Sequence, residues 1–186
     1  MRAISASVTS ASRDETYRMT IFTLHQELWL PRPRSEVFPF FSDAHNLEQI
    51  TPPWLRFEVL NPRPIPMHVG TRIDYRLSLH GIPFRWQSEI TTWEPPFRFT
   101  DEQRKGPYQL WSHLHEFEER DGGTLCIDRV RYAVFGGALI NRFFVRGDVE
   151  KIFAYRSQIL AQHFQCPAQP GNSASEKLRA CRASEA

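Results

Sequence analysis

Between residues 57 and 134 the sequence alternates with a period of two almost without a break, and from about residue 139 the period lengthens to that of a helix. Few folds satisfy both patterns in that order. Ile73, Tyr75, Leu77 and Leu79 fall on one face of a strand, against Arg72, Asp74, Arg76 and Ser78 on the other. Phe84, Trp86, Ser88 and Ile90 likewise oppose Arg85, Gln87 and Glu89. The runs at 97–104, 110–119 and 124–135 continue the pattern. Alternation of this kind marks an antiparallel sheet with one face in water.

The flanks complete the architecture. Residues 19–30 alternate and read as a first strand. The next segment reads as two short helices: one opening at Ser35 as N-cap and carrying Val37, Phe38 and Phe41, the other over 44–50 and stopping before Pro52 and Pro53. Residues 139–164 place Val145, Val149, Ile152, Ile159 and Leu160 near a helical stripe, with Gly147 as a candidate kink. At helical rise this segment spans about 39 Å, enough to cross a whole sheet. The predicted order is strand, two helices, six strands and a long helix. That is an α+β fold in which a curled sheet and one helix can enclose a cavity.

A chain of 186 residues fits one domain, assigned to 19–164. Residues 1–18 are rich in Ser, Thr and Ala and are expected to be a disordered extension, with Met19 an alternative start; 165–186 read as a disordered polar tail. The chain holds 14 Phe and 5 Trp, enough aromatic surface to line a cavity as well as a core. A net charge of +2, with both signs interleaved, gives no reason to expect nucleic acid. Cys126, Cys166 and Cys181 lack metal-type spacing and read as reduced thiols. With no apolar run of membrane length and no secretory h-region, a cytoplasmic location without an integral membrane segment is expected.

One stretch carries a longer signature. Asp101, Gln103, Gly106, Pro107, Tyr108, Trp111, His113, His115 and Phe117, followed by Asp128, Val130 and Tyr132, form D-x-Q-x-x-G-P-Y-x-x-W-x-H-x-H-x-F and D-x-V-x-Y. In these motifs and in element order, residues 19–164 resemble the START-like, or SRPBCC, superfamily. Within it they resemble a bacterial, polyketide cyclase/dehydratase-like subgroup. The resemblance implies a helix-grip fold: a curved antiparallel sheet, two short helices after the first strand, and a long C-terminal helix over an internal cavity. It does not choose among lipid carriage, quinone binding and cyclase chemistry.

Alternation decides which way the signature points. Arg98, Thr100, Glu102 and Arg104 form a hydrophilic face, so Phe97, Phe99, Asp101 and Gln103 point inward. A turn at Pro107 pairs Asp101 with His113 and Phe99 with His115, and direct cross-strand partners share a face. The hairpin at 121–123 allows two registers. One pairs His115 with Asp128, the other His113 with Tyr132, and both keep Cys126, Asp128, Val130 and Tyr132 on the inner face.

The expected inner cluster is therefore Asp101, Gln103, His113, His115, Asp128 and Tyr132. Unpaired, such groups cost about 1–3 kcal/mol each. They can satisfy one another as a structural network. They can also form the polar end of a pocket whose walls include Trp86, Phe99, Trp111 and Phe117; this set of ten residues is the expected ligand-binding site for a small hydrophobic or amphipathic molecule. As an alternative, His113 or His115 with Asp101, Asp128 and Tyr132 could move protons in a cofactor-independent cyclase or dehydratase. A second alternative is a regulatory protein-interaction module. His-x-His on a strand is also a usable metal geometry, but Asp101 and Asp128 are expected to hold the imidazoles instead. No metal and no cofactor is expected. His25 is left open between cavity and solvent, and Trp54 between gate and packing.

Overall fold

The computed structural model describes residues 6–13 and 19–165. One antiparallel sheet of eight strands dominates it: β1 Ala6–Arg13, β2 Thr20–Leu30, β3 Glu58–Val59, β4 Arg72–Leu79, β5 Ile82–Glu94, β6 Arg98–Lys105, β7 Leu110–Arg120 and β8 Gly123–Ala133. Its order is β1-β2-β8-β7-β6-β5-β4-β3, so the strand that opens the domain adds to the one that ends the sheet. The sequence reading placed 6–13 in an unstructured extension; the backbone instead pairs with β2, whose outer edge is open to another strand. Most of the expected tail lies outside the described residues, although Gln165 still belongs to the last helix.

The turns behave as their residues dictate. His80-Gly81 and Asp121-Gly122 both take positive φ at two successive residues, the backbone that closes a tight hairpin between right-twisted strands. The second turn sets the β7–β8 register, pairing His115 with Asp128 and Trp111 with Tyr132. Irregularities between Gln87 and Ser88 and between Ile90 and Thr92 interrupt the β5–β6 ladder, which bends the sheet there.

α1, Arg34–Ser42, begins one residue before the expected Ser35 cap. The Pro33 carbonyl accepts from the Glu36 and Val37 amides, so the N-cap is Pro33 and Ser35 lies inside the helix. A 3-10 turn at Ala44–Asn46, capped by Asp43 Oδ1 accepting from His45 N, leads into α2, Leu47–Ile50. The chain then leaves the helix ahead of Pro52.

The long helix comes in three parts: α3 Gly137–Ile140, a π-helical turn at Asn141–Val145, and α4 Arg146–Gln165. The irregularity lies just before Gly147 and not at it, where one extra residue per turn is accommodated. α4 lies over the inner face of the sheet. Buried Gln26 on β2 donates to Ser157 Oγ, which pins helix to sheet. Two apolar clusters result. One gathers Phe38, Phe99, Phe117, Ile159 and Leu160; the other gathers Phe22, Leu24, Tyr132, Val149 and Phe153.

Candidate functional site

Between sheet and helix the protein holds a cavity of about 190 Å³ that is partly open to the outside. β4 and β5 supply Ile73, Tyr75, Leu77, Phe84, Trp86 and Ile90; the short helices add Phe41 and Leu47, and α4 adds Val149, Ile152, Phe153 and Leu160. The β6–β7 turn closes one side with Tyr108, whose ring meets Trp86 at 5.6 Å and Trp111 at 4.8 Å. No helix among the described residues is long and apolar enough to cross a membrane.

At one side of this apolar space β6, β7 and β8 bring together two carboxylates and two imidazoles. His113 Nε2 stands 3.0 Å from Asp128 Oδ1, and His115 Nε2 stands 3.3 Å from Asp101 Oδ2. The diagonals are also close: His113 Nδ1 to Asp101 Oδ2 is 3.7 Å, and His115 Nδ1 to Asp128 Oδ1 is 2.9 Å, the latter off the direction of a hydrogen bond. Each histidine thus faces both aspartates. A polar chain continues from Asp101: Ser88 Oγ donates to Asp101 Oδ1 at 3.2 Å, and Trp86 Nε1 donates to Ser88 Oγ at 3.0 Å.

The quartet divides its charge unevenly. Burial pushes the Asp128 carboxyl up, but the two imidazoles outweigh it and hold Asp128 far below the usual carboxylate range. Asp101 is lowered in the same way, against its burial, by His115, His113 and the guanidinium of Arg156. Burial, then the neighbouring His115, depresses His113. His115 goes up: burial opposes its charge, but hydrogen bonding to Asp101 and Asp128 prevails. Near neutrality the arrangement is a neutral His113 beside a more readily protonated His115.

Seven of the ten sequence-derived site residues line the cavity: Trp86, Phe99, Asp101, Trp111, His113, His115 and Asp128. Three do not. Gln103 turns to the β6–β7 loop, where its amide donates to the Tyr108 carbonyl at 2.8 Å and accepts from the Tyr108 N–H at 3.3 Å. Phe117 lies one pleat deeper, in edge contact with Phe38 and Phe41 beneath α1. Tyr132 is completely buried among Phe22, Tyr108 and Trp111; its hydroxyl faces Asn141 without a hydrogen bond of good geometry. A correct strand face does not ensure access to the cavity when a helix covers part of that face.

Outside that set, Phe97 is corrected as well. It ends the Pro95-Pro96 turn before β6 begins, is 54% exposed, and stacks under the Arg34 guanidinium at 4.4 Å. His25 faces outward and contacts Glu27 at 3.1 Å. Trp54 is exposed and meets Tyr155 edge-on without lining the cavity.

Sequence reasoning missed Arg156, which lines the cavity from α4. Its signal was present: it follows Val149 by seven residues, Ile152 by four and Phe153 by three, so it sits on the apolar stripe. Tyr75 and Ser88 were placed on the correct face but assigned no role.

Could the quartet hold a metal? Donor atoms of Asp101, His113 and His115 all lie within 4.8 Å of one another. Every one of these side chains already faces an opposite partner, so a cation would have to break the existing pairs.

Residues 30–152 match the family model described as "Polyketide cyclase / dehydrase and lipid transport". The chain belongs to this family. Solved structures agree on the fold of this family member. Protein Ms6760 from Mycobacterium smegmatis is 19% identical, covering 83% of this chain and 96% of its own, with a TM-score of 0.57. Ara h 8.0201 is 15% identical over 79% and 99% of the two chains, with a TM-score of 0.60. Major latex-like protein 151 from Panax ginseng is 11% identical over 77% and 97%, with a TM-score of 0.59. No curated protein sequence matches the chain. The family member therefore has the helix-grip fold: a curved antiparallel sheet gripping a long C-terminal helix.

Proposed function

We propose that this protein reversibly binds a small hydrophobic or amphipathic molecule in the cavity between sheet and α4, with the molecule's polar group toward the His113–His115–Asp101–Asp128 quartet. One observation carries the reading: an aromatic-walled space of about 190 Å³ ends in a cluster of paired charges. Apolar walls supply affinity, and a few placed polar groups supply orientation. The test is fluorescence of the neutral reporter N-phenyl-1-naphthylamine with wild type and with Leu77→Trp, which fills the space. Enhanced emission with wild type only is expected. Equal emission with both, in variants of unchanged circular dichroism, contradicts the reading.

A second reading is supported by the unequal histidines. A neutral His113 can accept a proton while His115 donates one, an assignment of roles suited to aldol-type cyclisation or dehydration. Replacing both histidines by Gln, and assaying turnover of a poly-β-keto thioester, separates enzyme from carrier. Turnover that survives the double replacement removes the catalytic reading.

A further inference from the structure

Arg156 is the residue of the cavity that its surroundings explain least. It occupies a stripe position of α4 between Phe153 and Leu160, both buried, and is itself only partly exposed. It makes no hydrogen bond or ion pair among the described residues; its guanidinium stands 5.6 Å from the Phe153 ring and acts on Asp101 and Tyr75 only through its charge.

The nearby carboxylates do not need its donors. Asp101 Oδ1 already accepts from Ser88, and Asp101 Oδ2 faces both histidines. Asp128 Oδ1 lies between the same two rings. A guanidinium offers several N–H donors in a planar fork and accepts nothing. Placed on a cavity wall with those donors unspent, it is suited to a planar, acceptor-rich group. Asp43, Asn46, Thr51 and Ser88 also reach the walls, but most of the rest are Phe, Tyr, Trp, Leu, Ile and Val side chains, which fit an apolar body.

We infer that the ligand's polar group, turned toward the quartet, is a carboxylate that Arg156 holds from the helix side of the cavity while the body lies against Trp86 and Tyr75. This rests on the cavity reading above and specifies the chemical class of its occupant. The ligand is then an aromatic or aliphatic acid, and Arg156 determines acid over neutral analogue. A Lys could supply charge at this position but not the bidentate fork.

The test is displacement of N-phenyl-1-naphthylamine at pH 7.5 by 2-naphthoic acid and by 2-naphthamide, which share one body and differ in the charged group. Wild type is expected to bind the acid about tenfold more tightly than the amide. Arg156→Gln should lose about that factor for the acid and change by less than about twofold for the amide. Arg156→Lys should recover part of it. Binding of the reporter with no preference for the acid, or a preference that survives in Arg156→Gln, overturns the assignment of Arg156 and leaves the cavity reading standing. Failure of the reporter and of both naphthalenes to bind wild type overturns both.

Discussion

His113 and His115 lie side by side on β7 with ring centroids 3.7 Å apart, and each sits between the same two carboxylates, Asp101 and Asp128. Two imidazoles this close cannot both carry a proton at low cost, and two carboxylates this buried need at least one that does. The unequal histidines follow from that balance.

Breaking one side of the quartet should be costly. Asp128→Asn keeps the shape but removes a charge that both rings face, and is expected to destabilise the protein by about 3 kcal/mol. Urea unfolding measures it. A loss below about 1 kcal/mol would place the pair among weak surface interactions and contradict the buried network.

The same balance fixes the sign of the pH response. His115, raised from 6.5 in the folded state, contributes stability that is full below 6.5 and is lost as pH rises through its folded value. His113, lowered from 6.5, contributes stability that is present above 6.5 and lost as pH falls through its folded value. The lowered Asp101 and Asp128 contribute stability present above about pH 4 and lost on further acidification. Ring titration by NMR should find His115 above 6.5 and His113 below it. His115→Gln should abolish the decline on the alkaline side. Titration of both rings on the same side of 6.5 would contradict the charge assignment.

Much of this site was legible because the opposite face of 97–104 is hydrophilic, which turns Asp101 inward. Hairpin pairing then carries His113, His115 and Asp128 to the same face, although Leu110 and Leu114 leave the alternation of β7 ambiguous. The turn at Pro107 fixed the β6–β7 pairing, whereas the hairpin at 121–123 left two registers that share one face, and the backbone takes the one that pairs His115 with Asp128. Depth was not legible. Tyr132 and Phe117 share the inner face but lie under helices, and no strand pattern reports where a distant helix will rest. Gln103 was drawn away by a local backbone partner, which alternation does not see. Arg156 was not counted on the helical stripe, although its spacing from Val149 and Phe153 places it there. The pairing of 6–13 with β2 was hidden by its Ser- and Thr-rich composition.

The Gln103 clamp gives a local test. Gly106 lies so close that a Cβ there would meet Gln103 Oε1 at 2.3 Å. Gly106→Ala should therefore break both contacts to Tyr108 and destabilise the protein by about 1–3 kcal/mol. Hydrogen exchange should speed up at the Tyr108 amide, since Tyr108 and its neighbours form part of the cavity wall. Unchanged exchange there would show that the turn does not depend on the clamp.

Metal removal offers a separate check. Since the donors of Asp101, His113 and His115 are engaged with one another, dialysis against a chelator is expected to leave melting temperature and reporter binding unchanged. A drop in melting temperature that added zinc restores would assign the cluster to a cation.

The central claim is that an apolar ligand enters this cavity with its polar group facing the quartet. NMR of the imidazole nitrogens during titration with 2-naphthoic acid tests it most directly. The account predicts that the His113 and His115 ring signals shift together and saturate with reporter displacement, while those of exposed His25 and His80 stay fixed. Saturating displacement that leaves the His113 and His115 signals unmoved would contradict it.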